Sequence, residues 1–199
     1  KQPGARAIRD NMLSVMGTLA DLRREGKIRA FGLSNDSAWG TMNWLRAADD
    51  VGGPRVTTMQ NEYSLLCRLY DTDMAETAHH EDITLISFSP LAAGFLTGKY
   101  ADGNVPKESR LGQDAMGGRD TPRTHEAVGL YKDIAKKHGL DLIAMSLKWQ
   151  RHRPFPTIPI FGATTFDQLQ HILDGYDVTL SDEALKDIDE AHKSCPMPM

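Results

Sequence analysis

Cysteine is scarce: Cys67 and Cys195 are the two thiols in 199 residues, and no metal or redox spacing relates them. That excludes a disulfide-stapled scaffold and a zinc module, and it implies two free thiols in a reducing compartment. No apolar run is long enough to span a bilayer, and no signal peptide pattern is visible, so the expected setting is cytoplasmic with no membrane partner. Neither sign of charge dominates. Lys and Arg number 23 against 27 Asp and Glu, a net charge of -4, which gives no footprint for nucleic acid or an acidic membrane surface. Repeats and low-complexity segments are also lacking. His79, His80 and His125 have no Cys or acidic cluster at ligand spacing and read as solvated surface, so no metal is expected. What remains is an ordinary globular composition, 40% hydrophobic and 25% charged, long enough to bury a sizeable core as one domain over 1–199.

Periodicity organises the chain. Ile8, Met12, Val15, Met16 and Leu19 recur at helical spacing, and Gly26 is a good stop, so the pattern predicts a helix over 6–25. A strand follows at 28–33, and Ser34 to Ser37 offers N-caps for a helix over 38–50, broken by Gly52-Gly53-Pro54. A second strand and helix are read at 56–60 and 71–80, and a third strand at 83–88. Residues 101–122, rich in Gly, Pro, Asp and Arg, read as a long surface loop. Helices at 122–138 and 141–152 precede a fourth strand at 157–161, and helices at 165–173 and 181–192 close the chain. Thr165-x-x-Gln168 has capping-box spacing. Strands separated by helical crossovers make a parallel α/β sheet. Four strands are too few for a closed (β/α)8 barrel of about 250 residues, which leaves a small open sheet or half of a barrel.

The stretch from Ser87 to Tyr100 carries the most chemistry. A buried-type strand ends in Ser89-Pro90 and opens into small residues with Gly94, Gly98 and Lys99. Small residues let backbone N–H groups approach a phosphate, and a lysine adds charge. An ordinary strand-to-loop exit has the same pattern.

Taken together, the four strand ends resemble the C-terminal half of an aldo-keto reductase, most closely its bacterial, potassium-channel-β-like branch. Gly26 to Asn35 resembles the family's fifth strand, Gln60-Asn61-Glu62-Tyr63-Ser64 the sixth, Ser87 to Tyr100 the seventh with its phosphate loop, and Pro159 to Thr164 with Gln168-Leu169 the eighth. The resemblance implies strands five to eight of a TIM barrel that binds NADP(H) and reduces a small-molecule aldehyde or ketone. It assigns the nicotinamide carboxamide to Ser34, Asn35 and Gln60, and ring stacking to Phe88. It places Ser89, Pro90, Leu91, Gly94 and Lys99 around the pyrophosphate, with Ser109-Arg110 at the adenosine phosphate end. Gly162, Thr164 and Gln168 fall around the 2′-phosphate and adenine.

Gln60 at the end of an apolar strand is expected to be buried and to need a partner. Ser34 and Asn35 have helix capping as their rival use, Gln168 has the capping box, and Phe88 has plain core packing. His171 and Ile172 stand where the family commonly has a Glu-Asn pair that reads adenine. Gln168 replaces the arginine that many members aim at the 2′-phosphate, leaving Arg110 and Lys99 as charged support for NADP over NAD. The family's acid tyrosine, its lysine and aspartate partners and its histidine come from the first four strands. No motif here matches them, so no catalytic residue is assigned. The chain opens on Lys1, which suggests processing or further residues upstream. Two other readings stand beside the reductase: a non-catalytic NADPH-binding regulatory protein, and an inactive half-barrel whose open edges pair in an oligomer.

Overall fold

A computed structural model describes residues 3–100, 103–114 and 116–199. Ala101, Asp102 and Ala115 of the expected 101–122 loop therefore lie outside the described residues. Helix α1 spans Ala5–Arg24, β1 Phe31–Ser34, α2 Ala38–Val51, β2 Val56–Glu62, α3 Met74–His80 and β3 Thr84–Phe88. After these come α4 (Pro122–Lys137), α5 (Leu142–Gln150), β4 (Thr157–Pro159), α6 (Phe166–Asp174) and α7 (Asp182–Ser194). Two 3-10 turns, Leu69–Asp71 and Ala92–Thr97, complete the order. The strands form one four-stranded parallel sheet in the order β1-β2-β3-β4, as helical crossovers require. This is an α/β fold of the kind that builds (β/α) barrels. The first expected strand starts later than its apolar residues suggest, at Phe31, because Gly26 to Ala30 turns out of α1. The fourth ends early, at Pro159, where Ile160 and Phe161 become exposed.

The described chain falls into two compact units. The first comprises 1–61, 70–86 and 154–156. Its helices begin and end where local chemistry dictates. Ser37 accepts a hydrogen bond from the Gly40 N–H at the start of α2, and Gly52, at φ 63°, closes it in the left-handed region. Met12, Met16, Ala47 and Ala48 pack α1 on α2, with Ile8, Leu13, Leu19, Phe31 and Trp44 around them. Met16 is fully buried, and burial of such a side chain stabilises by about 1.5–3 kcal/mol. Against β2, Leu33 faces Met59 and Ser34 faces Gln60. A Cβ at Gly32 would run into the Thr58 side chain and carbonyl, so this strand approach needs glycine.

The second unit comprises 62–69, 87–153 and 157–199. Tyr63 stacks on Trp149 with ring centroids 5.3 Å apart. The buried Gln150 side chain accepts from Ser87 Oγ and donates to the Tyr63 carbonyl, so a polar group in this core is satisfied on both ends. Arg68, 4% exposed, lies with its guanidinium 4.3 Å from the Trp149 ring centroid and donates to Asp189 at 2.9 Å. Thr121, Asp141, Thr165 and Ser181 cap α4 to α7 through their side chains.

Candidate functional site

In the first unit three of the expected residues meet at the C-terminal ends of β1 and β2. Ser34 Oγ donates to the Gln60 carbonyl (3.1 Å), and the Asn35 N–H donates to that carbonyl (3.1 Å) and to Asn61 Oδ1 (2.8 Å). Asn35 Nδ2 donates to Ser34 Oγ (3.2 Å), and Asn35 sits at φ 53°, a left-handed conformation that asparagine tolerates. Neither Ser34 nor Asn35 caps α2, since Ser37 does that. Gln60 departs from expectation. It is exposed, because it lies on the strand face opposite the fully buried Met59, and the chain is buried again from Tyr63 on. Its amide thus faces outward. Asn61, which ties the Asn35 backbone to β2, was visible in the sequence only as Gln60's neighbour.

In the second unit the chain leaves β3 at Phe88 through a run of unusual backbone. Ser89 (φ 52°), Ala92 (φ 49°), Ala93 (φ 56°) and Gly94 (φ 102°) all take positive φ. At the three residues other than glycine this costs about 1–3 kcal/mol each, and such conformations cluster at ligand clamps. The turn is closed by Ala92 N–H to Ser89 O, and by Gly94 and Leu96 N–H to Leu91 O. Pro90 is buried below it, and Phe88 and Leu91 are half-buried. A Cβ at Gly94 would lie 2.9 Å from Lys99 Cε and 3.1 Å from Nζ. Gly94 therefore makes room for the Lys99 side chain, whose Nζ also stands 5.1 Å from the Tyr100 ring centroid. The structure thus brings together the glycine and lysine that the sequence set five residues apart.

Ser109, 8% exposed, is a turn residue that donates to the Pro106 carbonyl and accepts from the Gly112 N–H, whereas Arg110 is exposed. Past β4, Gly162 and Thr164 are exposed. Gln168 Oε1 accepts from both the N–H and the hydroxyl of Thr164 (2.9 and 3.1 Å), while the Gln168 N–H donates to Thr165 Oγ1. Its amide oxygen is engaged in the helix cap. Ile172 is buried, and His171 pairs with Asp141 at 3.0 Å, so neither offers a polar group in place of the Glu-Asn pair.

One pair escaped sequence reasoning entirely. Arg119 donates from Nε and Nη2 to the two carboxylate oxygens of Glu62, at 2.9 and 2.8 Å. This hydrogen-bonded fork raises the arginine's pKa further. Nearby, burial pushes the Cys67 thiol up, with the Glu62 charge adding to it. Among the described residues no group of three His, Cys, Asp or Glu could hold a metal ion, and no helix is long and apolar enough to cross a membrane. A cavity of about 590 Å³ lies at the other end of β1 and β2, lined by Arg23, Arg29, Asp49, Arg55 and Thr57, and contains none of the expected residues. It lies by the C-terminal ends of α1 and α2, where cations complement the helix dipole.

Comparison with known proteins adds to this geometry. A family model described as "Aldo/keto reductase family" matches residues 4–193. Protein tas of Escherichia coli is 38% identical over 192 residues, covering 94% of this chain and 55% of that protein. An aldo-keto reductase of Babesia bovis is 33% identical over 162 residues, 78% of this chain and 57% of the relative. Versiconal hemiacetal acetate reductase of Aspergillus parasiticus is 24% identical over 183 residues, 89% and 52% respectively. The chain spans about half the length of the curated relatives it matches.

Proposed function

The chain belongs to the aldo/keto reductase family, and from that premise we propose that it supplies nucleotide-binding residues for an NADPH-dependent reduction of aldehydes or ketones. Members of the family are oxidoreductases that generally use NAD(P)H on small-molecule carbonyls. In the finer reading the four strands are the fifth to eighth of a barrel, and the kinship is with the potassium-channel-β-like branch.

The observation that carries the proposal is the bracket of Ser34, Asn35 and Gln60 at neighbouring strand ends. Sites on (β/α) barrels lie at this end of the strands. A hydroxyl and two side-chain amides complement a carboxamide, which both donates and accepts. The bound nucleotide supplies a hydride, and gripping its carboxamide fixes which ring face offers it. Phe88 at the end of β3 offers an aromatic face for stacking. Ser89, Pro90 and Leu91 shape the positive-φ turn, and the Lys99 ammonium packed over Gly94 supplies the charge that suits a phosphate. Arg110, exposed and cationic, takes the 2′-phosphate, and Gly162, Thr164 and Gln168 line the adenosine end. Thr164 and Gln168 serve there as a rigid capped turn, since the Gln168 carbonyl is already engaged.

Replacing Gln60 by Ala tests the reading. Its amide is exposed and remote from the core, so the fold should be kept while NADPH affinity and carbonyl-dependent NADPH oxidation fall. Unchanged affinity and turnover would remove Gln60 from the site.

A further inference from the structure

We infer that the cavity at the N-terminal ends of β1 and β2 is a second binding site, for a small soluble molecule that carries more than one phosphate. It lies within the first unit, at the strand ends opposite the bracket of Ser34, Asn35 and Gln60, and is independent of what that bracket holds. Three guanidiniums reach it from three segments. Arg23 comes from the last turn of α1, Arg29 from the turn that follows, and Arg55 from the residue before β2. A volume of about 590 Å³ falls in the range of small-molecule sites and exceeds what a single phosphate fills. Among the described residues, no aromatic or large aliphatic side chain lines it, which suits a charged ligand with little apolar surface. A Cβ at Gly53 would lie 2.9 Å from the fully buried Met16, so that part of the wall stays free of side chain.

The pairing of the surrounding charges decides what enters. Arg24 takes Asp21 at 2.8 Å and Lys27 takes Glu25 at 2.6 Å, so the acids of this turn are matched to cations outside the lining. Arg55 Nη2 donates to Glu81 Oε2 at 2.6 Å, which orients it, while Nη1 stands 3.8 Å from Asp49 Oδ1, beyond hydrogen-bond reach. Among the described residues, the Arg23 and Arg29 side chains have no hydrogen-bond or ion-pair partner. Complementing the helix ends is their rival use, since each C-terminus carries about half a negative charge. Those ends are already capped by backbone: the Leu22 and Arg23 carbonyls accept from the Lys27 and Gly26 N–H groups at 3.0 Å, and the Ala48 carbonyl accepts from Gly53 at 2.8 Å. Three guanidiniums outweigh these partial charges together with Asp49, the one carboxylate of the lining, so the rim is net cationic. Arginine forks match phosphate oxygens two at a time. The chain's net charge of -4 opposes the approach of a nucleic acid or an anionic bilayer, which leaves a small free anion as the ligand.

The test is calorimetric titration of the chain with inorganic tripolyphosphate at constant ionic strength. A saturable site is expected that Arg23→Gln and Arg29→Gln each weaken about tenfold, as loss of one charge-assisted contact implies. Asp49→Asn should tighten the same site about threefold, because it removes the like charge from the rim. Both arginines are exposed, so without ligand each variant should melt within about 1–2 °C of the parent, which separates lost binding from lost fold. Absence of saturation, or equal affinity in the parent and both arginine variants, would overturn the site. Saturable binding that responds to Lys99→Met and to neither arginine would place the anion at the turn after β3 and overturn the assignment. Vesicles of phosphatidylcholine and phosphatidylserine should not retain the chain. Retention that is lost on replacing Arg23 and Arg29 would overturn the soluble ligand in favour of a membrane surface.

Discussion

Replacing Gly94 by alanine perturbs two things that the structure holds together. The backbone there has φ 102°, and forcing a Cβ into that region costs about 1–3 kcal/mol. For a chain of this size each kcal/mol lowers Tm by about 2–4 °C, so a fall of roughly 2–12 °C is expected. The new methyl would also lie 2.9 Å from Lys99 Cε, too close for both to stay. Lys99 is the more mobile partner and swings away, carrying its ammonium out of the turn. A charge-assisted contact to a phosphate is worth about 1.5–3 kcal/mol, so NADPH should bind roughly 10–150-fold more weakly. Lys99→Met separates the two effects. It removes the charge, keeps the glycine and changes an exposed side chain, so Tm should stay within about 1–2 °C of the parent while the affinity loss is the same. Thermal unfolding and NADPH titration of the two variants read both quantities. A Gly94→Ala protein that melts lower but binds NADPH as tightly as the parent would refute the coupling of Gly94 to Lys99.

Asp189→Ala should destabilise more than Arg68→Met in urea unfolding. The first, by about 2–3 kcal/mol, strands a guanidinium whose side chain is 3% exposed; the second removes the buried charge and frees a carboxylate that is already 51% exposed, at about 1.5 kcal/mol or less. The reverse ranking would contradict this. Asp187 accepts from Lys137 Nζ and His138 Nε2, both at 2.7 Å, and these bonds hold its carboxyl below the ordinary value of 3.8. A depressed carboxylate gives stability that is present above 3.8 and lost as pH falls through its lower folded value, so Asp187→Asn should flatten the acid limb of a stability–pH curve. An unchanged acid limb would show that the pair contributes nothing. Arg110→Ala should weaken NADPH binding more than NADH binding, since only the former carries the extra phosphate, whereas equal losses would mean that Arg110 does not read it.

The elements were largely legible because their punctuation is local. Gly26 and Gly52 stop helices through positive φ, Thr121-Pro122 and Ser181 start them, and each acts within a turn of where it stands. The Gly94–Lys99 approach was also local, being five residues of one turn. Pairs made by tertiary placement were not legible. Glu62 and Arg119 are 57 residues apart and Arg68 and Asp189 are 121 apart, and nothing in either neighbourhood marks the partner. Gln60 misled because the strand was read as apolar throughout, whereas its residues alternate and Gln60 takes the face opposite the buried Met59. Gln168 shows a different limit. Capping a helix and touching a nucleotide ask for the same residue at the same spacing, and only the bonds to Thr164 show the first use.

Equilibrium titration of the purified chain with NADPH, read by quenching of its tryptophan fluorescence, tests the central claim most directly. The account requires saturable quenching at a single site, weakened together by Gln60→Ala and Lys99→Met. Absence of any quench at millimolar NADPH, or saturable binding indifferent to both substitutions, would contradict it.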